Sequence, residues 1–155
     1  MAPDLGSVGA SSAAQLRIYT QAVARDEAAD EARRALRTVF DHVPVGIVWA
    51  KAIRDAAGGI VDFELLYTNA LAAAVLGAPA DDLTGRRCSA VHPGAEGDAW
   101  RALTARVVAD AVPFQADRYR VEVHGTTQDV SVGVVPYDDG YIAWCLPLAP
   151  LDPTA

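Results

Sequence analysis

Three stretches with the make-up of β-strands, residues 114–123, 128–136 and 141–148, are separated by little more than His124-Gly125-Thr126-Thr127 and Asp138-Asp139-Gly140. A parallel crossover needs about a dozen residues, whereas turns rich in Gly, Asp and Thr reverse a chain within about two to five. The C-terminal part of the chain is therefore confined to strands running up and down beside one another. Residues 45–53 and 61–68 repeat the arrangement around the turn RDAAGG. Val61, Phe63, Leu65 and Tyr67 recur there at period two, which predicts one shared face. Helical segments fill the interval between the two groups of strands. The order helix, two strands, small helices, longer helix, three strands predicts an α+β domain, an antiparallel sheet with helices on one face.

From residue 13 to residue 40 there is neither Gly nor Pro, and Ala, Arg and Glu dominate, the composition of a helix. Pro44 disfavours helical geometry at Val43 and sets the end of that helix near His42. Residues 1–12, rich in Gly, Ser and Ala without an apolar period, read as a disordered tail. Asn69 stands where it can cap ALAAAVL, and Gly77 where it can stop it. APADDLT supplies another short helical turn before Gly85, and CSAVHPG leads into a helix over residues 98–110. These marks divide the chain into a tail (1–12), a helix (13–42), a domain (43–148) and a second tail (149–155).

A formal charge of −7 over 155 residues repels phosphate backbones and argues against nucleic acid as a partner. No basic segment leads into an apolar run at the N-terminus, and no stretch reaches about 18 apolar residues. A soluble, cytoplasmic protein without membrane contact is expected. Cys88 and Cys145 are far apart and lack CxxC spacing, so neither a disulfide framework nor a zinc site is indicated.

The run from VFDHVPVGIVWA through YTNALAAAVLGAPADDLTGRR and VHPG to VSVGVVPYDDGYIAWCLPL, residues 36–148, resembles a PAS domain. The pieces that carry the resemblance are Asn69 opening and Gly77 closing a short helix, with Asp82-Leu83 and Gly85 beyond it. Pro44-x-Gly46 before the first strand, and Pro136 with Asp139-Gly140 in the last hairpin, add to it. The resemblance implies a five-stranded antiparallel sheet curved around a small cavity, used to sense a ligand, light or redox state, or to dimerise. It also implies a place in a signalling protein, such as a two-component histidine kinase. The chain shows no glycine-rich phosphate loop, no phosphoacceptor histidine on an amphipathic helix and no GGDEF-like run. The domain is therefore expected to be non-catalytic, with any output in a partner or in another part of the protein. Where the family's Asp-Ile/Val-Thr-like exit would stand, this chain has Leu148-Ala149-Pro150.

Gly85-x-x-Cys88 has the spacing of the family's flavin-binding, light-sensing branch, in which a cysteine attacks photoexcited flavin. That branch carries Asn, Arg, Phe and Gln where this chain has Arg87, Ser89, Ala90 and His92, so the preferred reading of Cys88 is a small buried hydrophobe. In the haem-binding branch the ligand is a histidine on the long helix. Residues 98–110 contain none, and His42, His92 and His124 are expected in solvated loops. Neither flavin nor haem is expected, and no metal. A third reading is a small cone-shaped enzyme whose base would be Asp117 or Asp129. Asp117 beside Arg118 and Arg120 better suits an exposed strand.

What remains is an apolar pocket. Family position and strand alternation put Tyr67, Trp100, Tyr119 and Trp144 around it, with Leu71, Val75, Leu103, Val107, Val121 and Val132. Tyr67, Tyr119 and Trp144 are the first candidates for ligand contact, because each has a polar tip that needs a partner when buried, with Trp100 and Cys88 next.

In the long helix, Ile18, Ala22, Arg25, Ala29, Ala32, Leu36 and Val39 follow the four-three spacing of a coiled-coil seam. Alanine at three of these positions forfeits up to about 7 kcal/mol per helix relative to leucine, at 0.8 kcal/mol per methylene. Leu146 and Leu148 alternate with Ala143 and Cys145, so both faces of the last strand are apolar and its outer face needs a cover. A homodimer is expected in which Leu36, Val39 and Phe40 pack on the sheet and the N-terminal half of the helix meets its partner.

Overall fold

A computed structural model describes residues 5–148 of the chain, which divide into one unit up to Val39 and a second from Phe40 onward. The first is α1 (Leu5–Phe40). It begins well before residue 13, so most of the stretch expected to be a disordered tail is helical. Nucleation is the costly step, and once the Ala-rich segment has formed, each added residue extends it for little. Residues 1–4 and the expected tail 149–155 lie outside the described residues.

In the second unit β1 (Gly46–Arg54) and β2 (Ile60–Thr68) form a hairpin. Four helices follow: α2 (Ala70–Leu76), α3 (Ala80–Leu83), α4 (Cys88–Val91) and α5 (Gly94–Asp110). Then come β3 (Phe114–Val123), β4 (Thr126–Pro136) and β5 (Gly140–Pro147). All neighbours are antiparallel, and the five-stranded sheet has the order β2-β1-β5-β4-β3. β1 therefore lies beside the last strand, from Gly46 opposite Cys145 to Lys51 opposite Gly140. The β3–β4 turn is tighter than expected. His124 and Gly125, both at positive φ (52° and 77°), make a two-residue reversal whose twist suits the strands, so β4 starts at Thr126.

Irregular register decides which side chains face the helices. In β2 the pairing slips at both ends: Ile53 meets Asp62 but Arg54 meets Ile60, and Ala50 meets Leu65 but Trp49 meets Tyr67. An extra residue in one strand turns the following side chain to the other face. The four residues expected to share a face are thus divided. Phe63 and Leu65 enter the core, Val61 is exposed, and Tyr67 faces outward with Trp49. A slip in β3 between Ala116 and Tyr119 has the opposite use, since it leaves Arg118 and Arg120 exposed and turns Tyr119 and Val121 inward.

Asn69 joins the pieces. Its side-chain oxygen accepts from the amides of Ala72 (3.1 Å), as the cap of α2, and of Ile47 (2.9 Å) at the start of β1. Its side-chain nitrogen donates to the carbonyls of Phe40 (2.9 Å) and Val45 (2.8 Å). At the other end of α2, Gly77 takes the left-handed conformation (φ 75°) that ends the helix. The outer edge of β2 is covered by the segment after α3: the Gly85 amide donates to Leu65 (2.7 Å) and the Leu65 amide to Arg86 (2.9 Å). A paired edge offers no template to another chain.

Candidate functional site

The inner face of the sheet and helices α2, α4 and α5 enclose a cavity of about 80 Å³. Val48, Leu65, Val121, Val130, Val132 and Ala143 form its sheet wall; Ala72, Val75 and Leu76 of α2 and Val91 of α4 line the helical side. Polar atoms come from Cys88, His92, Trp100, Tyr119, Tyr141 and Cys145, and no Asp, Glu, Lys or Arg borders the space.

Tyr141 is fully buried, with Phe63 edge-on at 4.9 Å between ring centroids and Trp100 at 6.2 Å. The Trp100 indole N–H donates to the Tyr141 hydroxyl (3.3 Å), and the Cys88 sulfur lies 3.8 Å from the same oxygen. Burial pushes the Tyr141 phenol well above its ordinary range, and pushes the thiols of Cys88 and Cys145 up to about 11. The groups of the cavity are thus held neutral. Tyr119 packs edge-on against Trp100 at 5.6 Å, and burial together with the nearby Glu96 raises its phenol. One Glu96 carboxylate oxygen is buried without a hydrogen-bond partner.

Below the cavity, Asp62 of β2 ties down α4, accepting from the Ser89 hydroxyl and from the amides of Ser89 (3.3 Å) and Phe63 (2.8 Å). Burial works against its carboxylate, but these bonds outweigh it and hold the carboxyl below its ordinary range. His92 is not a solvated loop residue. Only 7% exposed, it lines the cavity with Nε2 3.0 Å from the Glu122 carbonyl. Burial lowers its pKa, and because a carbonyl only accepts, Nε2 carries the proton of the neutral ring.

Of the residues singled out from the sequence, Cys88, Trp100 and Tyr119 meet at the cavity, with Val75, Val121 and Val132. Tyr67 does not. The slip in β2 turns it to the outer face, where its ring packs on Phe40 (6.1 Å) and its hydroxyl bonds Asp41. Trp144 borders the cavity, but it pairs with Ile47 and Gly133 and its indole lies over Gly133, on the face away from the helices. Leu71 is exposed, and Leu103 and Val107 pack in the core outside the cavity lining. Tyr141 was missed. Its signal was available, since Tyr141, Ala143 and Cys145 alternate with Trp144 and so share the opposite face. Asp129 is held by Arg118 (3.0 Å) and Arg120 (3.5 Å), and Asp117 is exposed; neither borders the cavity.

Among the described residues no group of His, Cys, Asp and Glu could hold a metal ion, and no helix is long and apolar enough to cross a membrane. A flavin does not fit the site: cofactor pockets span about 300 Å³ or more, against the 80 Å³ here.

No family model and no curated protein matches the chain. Solved structures do. A LOV protein from Rhodobacter sphaeroides aligns over 79% of this chain and 70% of its own, at 15% identity and a TM-score of 0.60. The PAS domain of BvgS from Bordetella pertussis covers 78% of this chain and 89% of its own, at 23% identity and a TM-score of 0.58. A PAS domain of a LuxR-family transcriptional regulator from Burkholderia thailandensis, in complex with ethanol, covers 74% and 97%, at 18% identity and a TM-score of 0.52. The chain has the PAS fold.

Proposed function

We propose that the chain is a non-catalytic sensory module of a cytoplasmic, bacterial-type signalling protein, holding a small ligand in its cavity and dimerising through α1. The observation that carries this reading is the apolar cavity bordered by Tyr141, whose hydroxyl meets Trp100 and Cys88, two other residues of the lining. A cavity of that size offers an apolar occupant of matching shape contacts along its whole lining, and those contacts stabilise the domain. One neighbour of the same fold is described in complex with ethanol, a molecule on this scale. Support for a non-catalytic role comes from the cavity chemistry, which offers no carboxylate and keeps its thiols and the Tyr141 phenol protonated. The output then lies in a partner domain or protein of a two-component type of system.

Support for dimerisation comes from α1, whose Leu16, Ile18 and Tyr19 are each more than 60% exposed. The exposed Val39 and half-buried Leu36 extend the seam toward Phe40.

Native mass spectrometry of freshly purified protein tests the ligand. A bound mass released on denaturation supports the reading. Bare protein that no small apolar compound stabilises against heat overturns it. Light scattering tests the dimer: removing residues 1–34 should leave a monomer, and an unchanged dimer would place the interface elsewhere.

The light-sensing alternative draws on the LOV neighbour and the Gly85-x-x-Cys88 spacing. A flavin absorption band at about 450 nm that bleaches in blue light would restore it. The cavity volume favours the first reading.

A further inference from the structure

Resting on the reading of the cavity as a ligand site, the chemistry of its walls narrows what it takes. Charged ligands are disfavoured, because no Asp, Glu, Lys or Arg borders the space and an unpaired charge is costly to bury. The decisive group is the Tyr141 hydroxyl. It can donate one hydrogen bond and accept others, and Trp100 already supplies a donor. Among the described residues, the one acceptor recorded for its own proton is the Cys88 sulfur, at 3.8 Å. Sulfur is a weak acceptor, so this fully buried phenol donor is left almost unused. Trp100 fixes the direction of that donor by occupying another side of the same oxygen.

We propose that the cavity selects a small neutral compound carrying one acceptor oxygen, a ketone or aldehyde with a compact hydrocarbon body, whose carbonyl takes the Tyr141 proton. A carbonyl brings no donor of its own, so it leaves nothing unsatisfied among aliphatic walls. Its hydrocarbon part packs along Val75, Val121, Val130 and Val132.

Cyclopentanone and methylenecyclopentane have nearly the same shape and differ in the acceptor, so they serve as probes, with binding followed by ligand-observed NMR. In Tyr141→Phe the affinity for cyclopentanone should fall about tenfold, the worth of one hydrogen bond in a dry site. The affinity for methylenecyclopentane should stay unchanged. A second reading leaves Tyr141 in place and decides the matter if Tyr141→Phe fails to fold, read alike in the wild type and in Tyr119→Phe, which removes the other phenol bordering the cavity. The infrared carbonyl stretch of isotope-labelled cyclopentanone bound to the wild-type protein should lie at the hydrogen-bonded position. A stretch at the alkane position, or equal losses for both probes, overturns the acceptor assignment while leaving a cavity that binds apolar molecules. Failure of both probes to bind the wild-type protein overturns the ligand-site reading itself.

Discussion

The indole of Trp144 lies over Gly133, in the space where a side chain at position 133 would begin. The contact ties β5 to β4 through a residue that also borders the cavity, so its energetics bear on the cavity wall.

Gly133→Ala should cost about 1–3 kcal/mol, because the added methyl must displace a ring held between strands. The cost should shrink to a few tenths of a kcal/mol when measured in a Trp144→Ala background, where the ring is gone. Urea denaturation of the two single variants and the double variant measures both. Equal costs in the two backgrounds would mean that the strain lies in the backbone and not in the indole.

Asn69→Ala should be among the most damaging single changes, at about 3–5 kcal/mol, since it removes a helix cap and strands buried backbone groups on several segments. Asn69→Asp keeps the two accepted bonds but sets a carboxylate against the carbonyls of Phe40 and Val45. It should not rescue stability at neutral pH, and should recover part of it as the carboxyl protonates in acid. Thermal unfolding of both variants across pH checks this.

Acid should weaken the fold in two stages. His92 has a folded-state pKa below its ordinary 6.5, and Asp62 one below its ordinary 3.8. In both cases the unfolded chain binds the proton more readily, so the stability each provides is complete above its ordinary pKa and is lost as pH falls through the lowered folded value. Denaturation midpoints should decline below pH 6.5 and again below 3.8. His92→Gln should flatten the first decline and leave the second.

The thiols make the opposite test. With Cys88 and Cys145 raised from 9.0 to about 11, native protein at pH 8 should hold about 100-fold less thiolate than unfolded chain. A disulfide reagent should label both quickly in denaturant and neither on the same timescale in buffer. Because these groups are raised, the stability they contribute is present below 9.0 and disappears as pH climbs toward 11. Rapid native labelling of Cys88 would show that its side chain is open to solvent and not buried.

Much of this architecture could be read from residue order alone, and the reasons are local. Caps and turns are decided by one or two side chains, so Asn69, Gly77 and Asp139-Gly140 marked their elements directly. Faces were less legible. Strict alternation kept Val61 and Tyr67 with Phe63 and Leu65, and only the register slips against β1 reveal the two outward turns. Those slips belong to the pairing of two strands, which a one-dimensional pattern does not carry. His92 looked like a loop residue because its burial comes from Glu122, far along the chain on β3. Tyr141 was passed over for its neighbour Trp144, although both follow from one alternation. The N-terminal helix was read shorter than it is, because residues 5–12 have weak preference of their own and extend a helix nucleated further along.

Asn69 is, in mechanical terms, a joint with arms on the long helix's last residue, the entry to β1 and the first turn of α2. The third arm reaches the cavity, since Ala72, Val75 and Leu76 of α2 form part of its wall. If α2 is pushed aside by the length of one hydrogen bond, the joint either breaks or pulls on the Phe40 carbonyl. The linkage between the α2 wall of the cavity and the Phe40 carbonyl is therefore a single side chain long.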